Sequence, residues 1–412
     1  MKEVFYIKDS IENKISYYYL LFFLMVLPFD RFYSSIILVC FLVHTLIFIN
    51  KKNLLHINRD ILILQSVFIV SLISVIYSPS ISGSLNVISN QLALLLFPFL
   101  LAVTSLDLSK YRSQLLQGLT LSCTLTILYL YFDAFHVLLY YHLPLKDLFS
   151  WTFVNHNFSL PINMHATYLS MLLVLCIIYS LQQLFYLQTK YKRIYFIFCS
   201  LILLAGLIQL SSKSAFITLL IIIIIGFPWF LISKIKRHQY LFITLVGSVL
   251  LLNFILSFQI FRVRYLVTLK DDLYENRAVV EKNGRADRWH AAWDLIKQSP
   301  VIGTGTGSEI PLLRDIYFER KMYGPYLASL NAHNQYLSFT INSGVIGLVI
   351  YLTTIGWGFW QSIKKKDIIL LSFLTLVTVV SFSEDLLDVN KGIFIYAFFF
   401  PFLIMSAGRP DT

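Results

Sequence analysis

The chain has 412 residues, of which 57% are hydrophobic and only 13% charged, and its mean hydropathy is +0.71. That balance excludes an ordinary soluble domain. The formal charge of +11 would point to nucleic acid in a soluble protein; here much of it sits in short loops between apolar runs, where it reports topology, and no nucleic-acid partner is expected.

Taken in order, the chain opens with MKEVFYIKDSIENK, which lacks the short apolar region and small-residue cleavage site of a secretory signal. The first span is therefore expected to be retained. Crossing the hydrocarbon core takes about 20 apolar residues. Twelve runs qualify, at 15–30, 33–50, 60–77, 88–106, 113–135, 163–186, 194–210, 215–233, 239–259, 336–358, 367–382 and 390–406. The first and the eleventh are the weakest, because both are short. Lipid leaves no partner for unpaired backbone groups, so each run must be a helix. The expected fold is an all-α polytopic membrane protein with about twelve transmembrane helices and one large, partly helical loop. Cys40, Cys123, Cys176 and Cys199 all lie within apolar runs without metal-ligand spacing, and read as small buried side chains.

Loop charge sets the orientation. Lys51, Lys52 and Arg59 fall in one loop, Lys110 and Arg112 in another, and Lys190, Lys192 and Arg193 in a third. Lys234, Lys236 and Arg237 follow, then Lys364, Lys365 and Lys366. These clusters occupy every second loop, as the positive-inside rule requires. Both termini are therefore expected in the cytoplasm, and the long polar interval 260–335 outside. Two smaller outside segments are 138–162 and 383–391, the latter carrying Glu384, Asp385 and Asp388. With no internal repeat and no low-complexity linker, a single membrane domain, 1–412, is the economical reading.

The 260–335 interval concentrates the polar chemistry. GRADRWHAAWDLIKQSP reads as a helix ended by Pro300, with Trp289, Ala292, Trp293 and Ile296 forming an i, i+3, i+4, i+7 stripe. At 100° per residue Arg285 falls near the middle of that apolar face, Arg288 at its edge, and Asp287, His290, Asp294 and Lys297 on the other side. An arginine turned inward needs an anionic partner. That partner is either a structural carboxylate or a phosphate, which a planar guanidinium clamps in bidentate fashion. Gly303, Gly305 and Gly307 in VIGTGTGSE fit neither a Walker loop nor a dinucleotide fingerprint. They read as a tight turn that lets backbone approach a helix or an anionic ligand. His333, beside Asn331 and Asn334 at the edge of the tenth span, is either an interfacial hydrogen-bonding residue or a base for a hydroxyl. No His, Asp or Cys cluster with ligand spacing surrounds it, so no metal ligand and no cofactor are expected.

These pieces, in this order, resemble the bacterial O-antigen ligase and O-antigen polymerase superfamily of GT-C type membrane glycosyltransferases. The resemblance is best over about 163–405. It rests on Arg285 followed by Trp289, Pro300, Gly303 and Gly305, and on His333-Asn334-x-Tyr336-Leu337 with Gly344 and Gly347 beyond. Glu384 with Gly392, and His165 in NMHATYLS, are similar to further motifs of relatives. Lys213 in LSSKS departs from the Ser-Arg of many relatives, and Asn331 stands where some carry a second His.

The resemblance implies transfer of a glycan from an undecaprenyl-pyrophosphate donor at the periplasmic face of the inner membrane, inverting and metal-independent. The acceptor is lipid A–core oligosaccharide in a ligase, or a second lipid-linked repeat unit in a polymerase. His333 would serve the acceptor hydroxyl and Arg285 the departing pyrophosphate, as the catalytic pair. Arg288, Lys213, Asn334, Arg262, Arg264, His165 and Glu384 would bind substrate. The dominant outside loop before the last three spans favours the ligase. A polysaccharide or lipid transporter would instead place ionisable residues at mid-span depth, and His165 is the clearest candidate for that.

Overall fold

The computed structural model describes residues 2–49, 58–186, 189–268, 270 and 284–407. Lys51 and Lys52, two of the loop cations used for topology, lie outside the described residues. Among the described residues the chain is helical and has no strand. A helix stands at each of the twelve apolar runs. The first nine are α1 (Ile11–Val26), α2 (Arg31–Ile47), α3 (Arg59–Ile73), α4 (Ile81–Val103), α5 (Leu108–Tyr140), α6 (Ala166–Tyr186), α7 (Lys190–Leu210), α8 (Lys213–Phe230, with a π turn at Ile222–Gly226) and α9 (Arg237–Ser257). Two helices of the polar interval follow, α10 (Arg285–Gln298) and α11 (Glu309–Glu319). The last three are α12 (Gln335–Lys364), α13 (Ile368–Val380) and α14 (Asn390–Ser406).

Eight of these helices are long and apolar enough to cross a membrane, and α2, α13 and α14 are shorter apolar helices. The weak first and eleventh runs appear as helices of 16 and 13 residues. Hydropathy misjudged several ends because it measures apolarity, whereas caps decide where a helix starts. The fourth span begins at Ile81 rather than 88, since Ser80 caps it by accepting from the Gly83 amide at 3.2 Å. The fifth runs to 33 residues instead of 23; Asp107 caps it by accepting from the Lys110 amide at 3.1 Å.

The inner helices are α6, α13 and α14. Every residue from Ile393 to Leu403 is buried, and so is every residue from Ala166 to Ser180. Helices that are apolar all round belong inside the bundle. At the other extreme, Ile255 is the one buried residue of α9, whose apolar surface is suited to lipid. At the end of the bundle where α5 and α13 begin, Arg112 pairs with Asp367, Nη2 to Oδ1 at 2.8 Å, with side chains 17% and 6% exposed. Asp367 also caps α13 by accepting from the amides of Ile369 and Leu370, each at 3.1 Å.

At the opposite end, residues 284–335 fold back onto the spans. Ala291, Ala292, Leu295 and Ile296 of α10 pack with Leu313 and Tyr317 of α11 and Ile341 of α12 in a small core of their own. Asp294 and Arg320 form an ion pair that ties α10 to α11. The glycine turn locks this unit to the membrane helices. Gly303, Gly305 and Gly307 all have positive φ, at 77°, 95° and 80°. A Cβ on Gly305 would lie 2.4 Å from Ser78 Cα, and one on Gly303 2.5 Å from the Gly344 amide nitrogen. Thr304 N and Gly305 N donate to the carbonyls of Ile341 and Asn342 at 2.7 and 2.9 Å, and Thr306 N donates to Ser74 at 3.3 Å. The Ile341 and Asn342 carbonyls are free because Gly344 (φ 65°) interrupts α12 there. Of the two readings of the turn, close helix approach is the one realised, and the three amides are spent on protein carbonyls.

Candidate active site

The site lies where α6, α8, α12 and α14 begin. Its centre is the turn 331–334. His333 holds φ 48°, an uncommon conformation for a residue with a side chain, and its amide donates to Asn331 Oδ1 at 3.3 Å. Asn334 then caps α12, its side-chain oxygen accepting from the amides of Tyr336 and Leu337 at 3.0 and 3.3 Å. Tyr336 Oη donates to the Thr378 carbonyl on α13 at 2.8 Å. The His-Asn-x-Tyr-Leu sequence is thus a helix start bolted to a neighbour, with His333 projecting from its base.

His333 Nδ1 faces Glu384 Oε2 at 3.5 Å, with side chains 32% and 12% exposed. Glu384 is steadied by Thr167, whose Oγ1 donates to Oε1 at 3.2 Å. Burial works to raise the Glu384 carboxyl, but the hydrogen bond from His333 and the charges of His165, His333 and Arg285 outweigh it and hold the group below its usual range. His165, just before α6, packs against His156 with ring centroids 4.2 Å apart and the planes tilted by 58°. Burial lowers its pKa, opposed by the Glu384 charge.

The faces of α10 differ from the expected pattern. The buried stripe is Asp287, Arg288, Ala291, Ala292, Leu295 and Ile296, whereas Arg285 is half-buried and Trp293 is 53% exposed. Asp287, assigned to the solvent side, is 8% exposed. The reason is that Trp289 and Trp293 line a cavity rather than the core, and apolar periodicity cannot distinguish the two. That cavity has a volume of ≈ 730 Å³ and lies between α10 and the spans α12 and α13. Ala286, Trp289, His290 and Trp293 form one wall; Asn334, Tyr336, Leu337, Leu348, Leu352, Thr378 and Phe382 form the rest. Trp289 Nε1 donates to the Ala332 carbonyl at 3.1 Å, and Arg288 Nη1 to that of Asn331 at 3.4 Å. Both fasten α10 to the turn that carries His333.

The remaining expected residues spread around this centre. Lys213 opens α8 at the same end of the bundle. Arg264 lies by the 150s segment; with the Asn155 amide turned, Asn155 oxygen accepts from both Arg264 Nη atoms at 3.0 and 3.2 Å. Arg262 is exposed on the preceding turn. Sequence reasoning missed Thr167, His156 and a group of three carboxylates, Glu309, Asp385 and Asp388, whose oxygens lie within 4.8 Å of one another. Burial, then neighbouring carboxylates, raise the pKa of both Glu309 and Asp385. Glu309 and Asp385 are 76 positions apart, and no local spacing announces their meeting.

A family model described as O-antigen ligase matches residues 197–352. The chain carries an O-antigen ligase family domain. The matched segment takes in Lys213, Arg285, Arg288 and His333, which agrees with the resemblance read from the motifs to the O-antigen ligase and polymerase superfamily. Glu384, contributed by the 381–389 loop, lies beyond it. No curated protein matches the chain. The protein is thus an all-α polytopic membrane protein whose residues 197–352 match the O-antigen ligase family.

Proposed function

We propose that the protein is an O-antigen ligase-type glycosyltransferase. It would move a glycan from undecaprenyl pyrophosphate to lipid A–core oligosaccharide at the periplasmic face of the inner membrane. The whole chain would act as one membrane domain, with 260–335 as a cover over the site. What supports this reading is a His333–Glu384 pair at 3.5 Å, with the Arg285 charge acting on Glu384, and the chain neighbours Asn334 and Ala286 lining an apolar cavity of ≈ 730 Å³. A basic imidazole, a phosphate-binding guanidinium and a greasy channel are the three things a prenyl-pyrophosphate donor and a hydroxyl acceptor need together.

In this mechanism Glu384 accepts a hydrogen bond from Nδ1–H of His333, which leaves the Nε2 lone pair to take the acceptor hydroxyl proton. The hydroxyl oxygen attacks the anomeric carbon as the bond to the pyrophosphate oxygen breaks, inverting the centre. Negative charge builds on the leaving group, and Arg285 neutralises it there, so the step needs no metal ion on the diphosphate. Trp289 and Arg288 hold α10, and with it Arg285, in register with His333. The prenyl chain lies along Trp293, Leu348 and Leu352. Lys213 and Arg264 add positive potential at the rim, while Asn334 and His165 frame the sugar side. Arg262, exposed above the site, steers phosphate or core sugars.

Deleting the gene and resolving the cell's glycolipids on a gel tests this. A ligase leaves long lipid-linked polymer and bare lipid A–core, whereas accumulated single repeats would assign the chain to the polymerases instead. An unchanged glycolipid pattern would remove both readings.

A further inference from the structure

The three-carboxylate group next to the His333–Glu384 pair is not used by the mechanism above. Glu309 comes from the first turn of α11, and Asp385 and Asp388 from the 381–389 loop. Glu309 is 5% and Asp385 2% exposed. Glu309 Oε1 accepts from the Ala332 amide at 2.9 Å, and Asp388 Oδ2 from Ser338 Oγ at 2.9 Å. Both carboxylate oxygens of Asp385, by contrast, are buried without a side-chain hydrogen-bond partner, and the Asn334 amide is a backbone donor near them. Among the described residues no ion pair joins any of the three to a basic side chain. Carboxylates gathered this way in protein interior need a proton or a counter-charge, because burying an unpaired charged one costs several kcal/mol.

The surroundings are built of further oxygens. A small polar cavity adjoining Asp388 is lined by Gln91, Thr306, Ser338 and Asn342. Gln91 Oε1 and Asn342 Oδ1 are themselves buried without a hydrogen-bond partner. Oxygens that share one Ca²⁺ at 2.3–2.6 Å lie no more than about 5 Å apart, and the three carboxylates fall within 4.8 Å of one another. An all-oxygen donor set with two or three anionic members selects a hard cation and disfavours Zn²⁺ or Cu²⁺.

We infer that Glu309, Asp385 and Asp388 bind one hard divalent cation, Ca²⁺ or Mg²⁺, which clips the 381–389 loop to the foot of α11. Asp385 is the central ligand, and Gln91 and Asn342 complete the shell directly or through water. The ion sits at the base of the loop that carries Glu384 and beside the Ala332 amide that precedes His333. If the proposed chemistry holds, it is a positioning element for that pair; the binding site itself does not depend on that chemistry.

The test uses the full-length protein purified in detergent, stripped with EDTA and returned to chelator-free buffer. Metal analysis after equilibration with CaCl₂ or MgCl₂ should find one ion per chain. The ion at saturation should raise Tm by roughly 5 °C. Asp385→Asn should lose both the bound ion and the rise in Tm, while Asp315→Asn, on the exposed side of α11, should keep both. Should Asp385→Asn fail to fold, the wild-type stoichiometry and the reversal of its Tm rise by EDTA still decide the matter. Wild-type protein that binds neither ion at millimolar concentration overturns the inference, as does Asp385→Asn that binds as well as wild type. Because the readouts are metal content and Tm, failure here is separable from failure of the glycosyltransferase reading.

Discussion

Replacing Glu384 by Gln keeps the side chain's size and the acceptor oxygen for Thr167 but removes the charge facing His333. As His333 takes a proton it becomes an imidazolium 3.5 Å from that carboxylate. Coulomb attraction at this distance is worth about 5 kcal/mol at an effective dielectric of 20, and about 1 kcal/mol in bulk water. Side-chain exposures of 32% and 12% put the pair nearer the first limit. A fall in the chemical step of roughly 10² to 10³ is expected, since about 1.4 kcal/mol is tenfold in rate. KM for the donor should change little, because Glu384 does not touch it in this account. The assay is single-turnover glycan transfer by the protein in liposomes. His333→Ala should lose at least as much, and the double variant no more than His333→Ala alone, because the two residues act as a unit. Glu384→Gln within threefold of wild type, or losses that simply multiply in the double variant, would refute the pairing.

Arg285→Ala should impair transfer by about 10²-fold or more, while Arg285→Lys keeps part of the rate, and added Mg²⁺ should not rescue the alanine variant; single-turnover rates check all three. Gly305→Ala places a Cβ 2.4 Å from Ser78 Cα at φ 95°, so it should lower Tm sharply or abolish insertion, as read by thermal unfolding in detergent. Arg112→Ala leaves Asp367 without its partner near the start of α13 and should cost about 3–5 kcal/mol, seen in the same unfolding assay. Trp293→Ser, on the cavity wall, should raise KM for a donor with a full-length prenyl chain and leave a short-chain donor nearly unaffected.

The membrane helices were legible because lipid imposes one rule on every span. A helix therefore stands at each run, while caps such as Ser80 and Asp107 moved the ends. His333 and Arg285 could be singled out because one sits at a span edge and the other interrupts an apolar pattern. Their surroundings were less readable. Trp289 and Trp293 looked like core because a cavity wall and a core share the same periodicity. Arg288, read as an edge residue, is buried and fastened to the Asn331 carbonyl. Glu384 was visible only as an acidic residue before the last span; its approach to His333 depends on how the 381–389 loop folds over α12. The Glu309–Asp385–Asp388 group is a long-range meeting of the same kind. The glycines at 303, 305 and 307 pointed correctly to close backbone approach, but the partners, Ser78, Gly83 and Gly344, emerge only from the fold.

Under the proposed mechanism His333 drives inverting transfer from a lipid pyrophosphate to a glycolipid acceptor. Purified protein in liposomes, supplied with an undecaprenyl-pyrophosphate glycan and lipid A–core, tests it most directly through the anomeric configuration of the product. Wild-type protein should give a glycan–lipid A–core product of inverted configuration, and His333→Ala none. Retention of configuration, or undiminished product from His333→Ala, would contradict it.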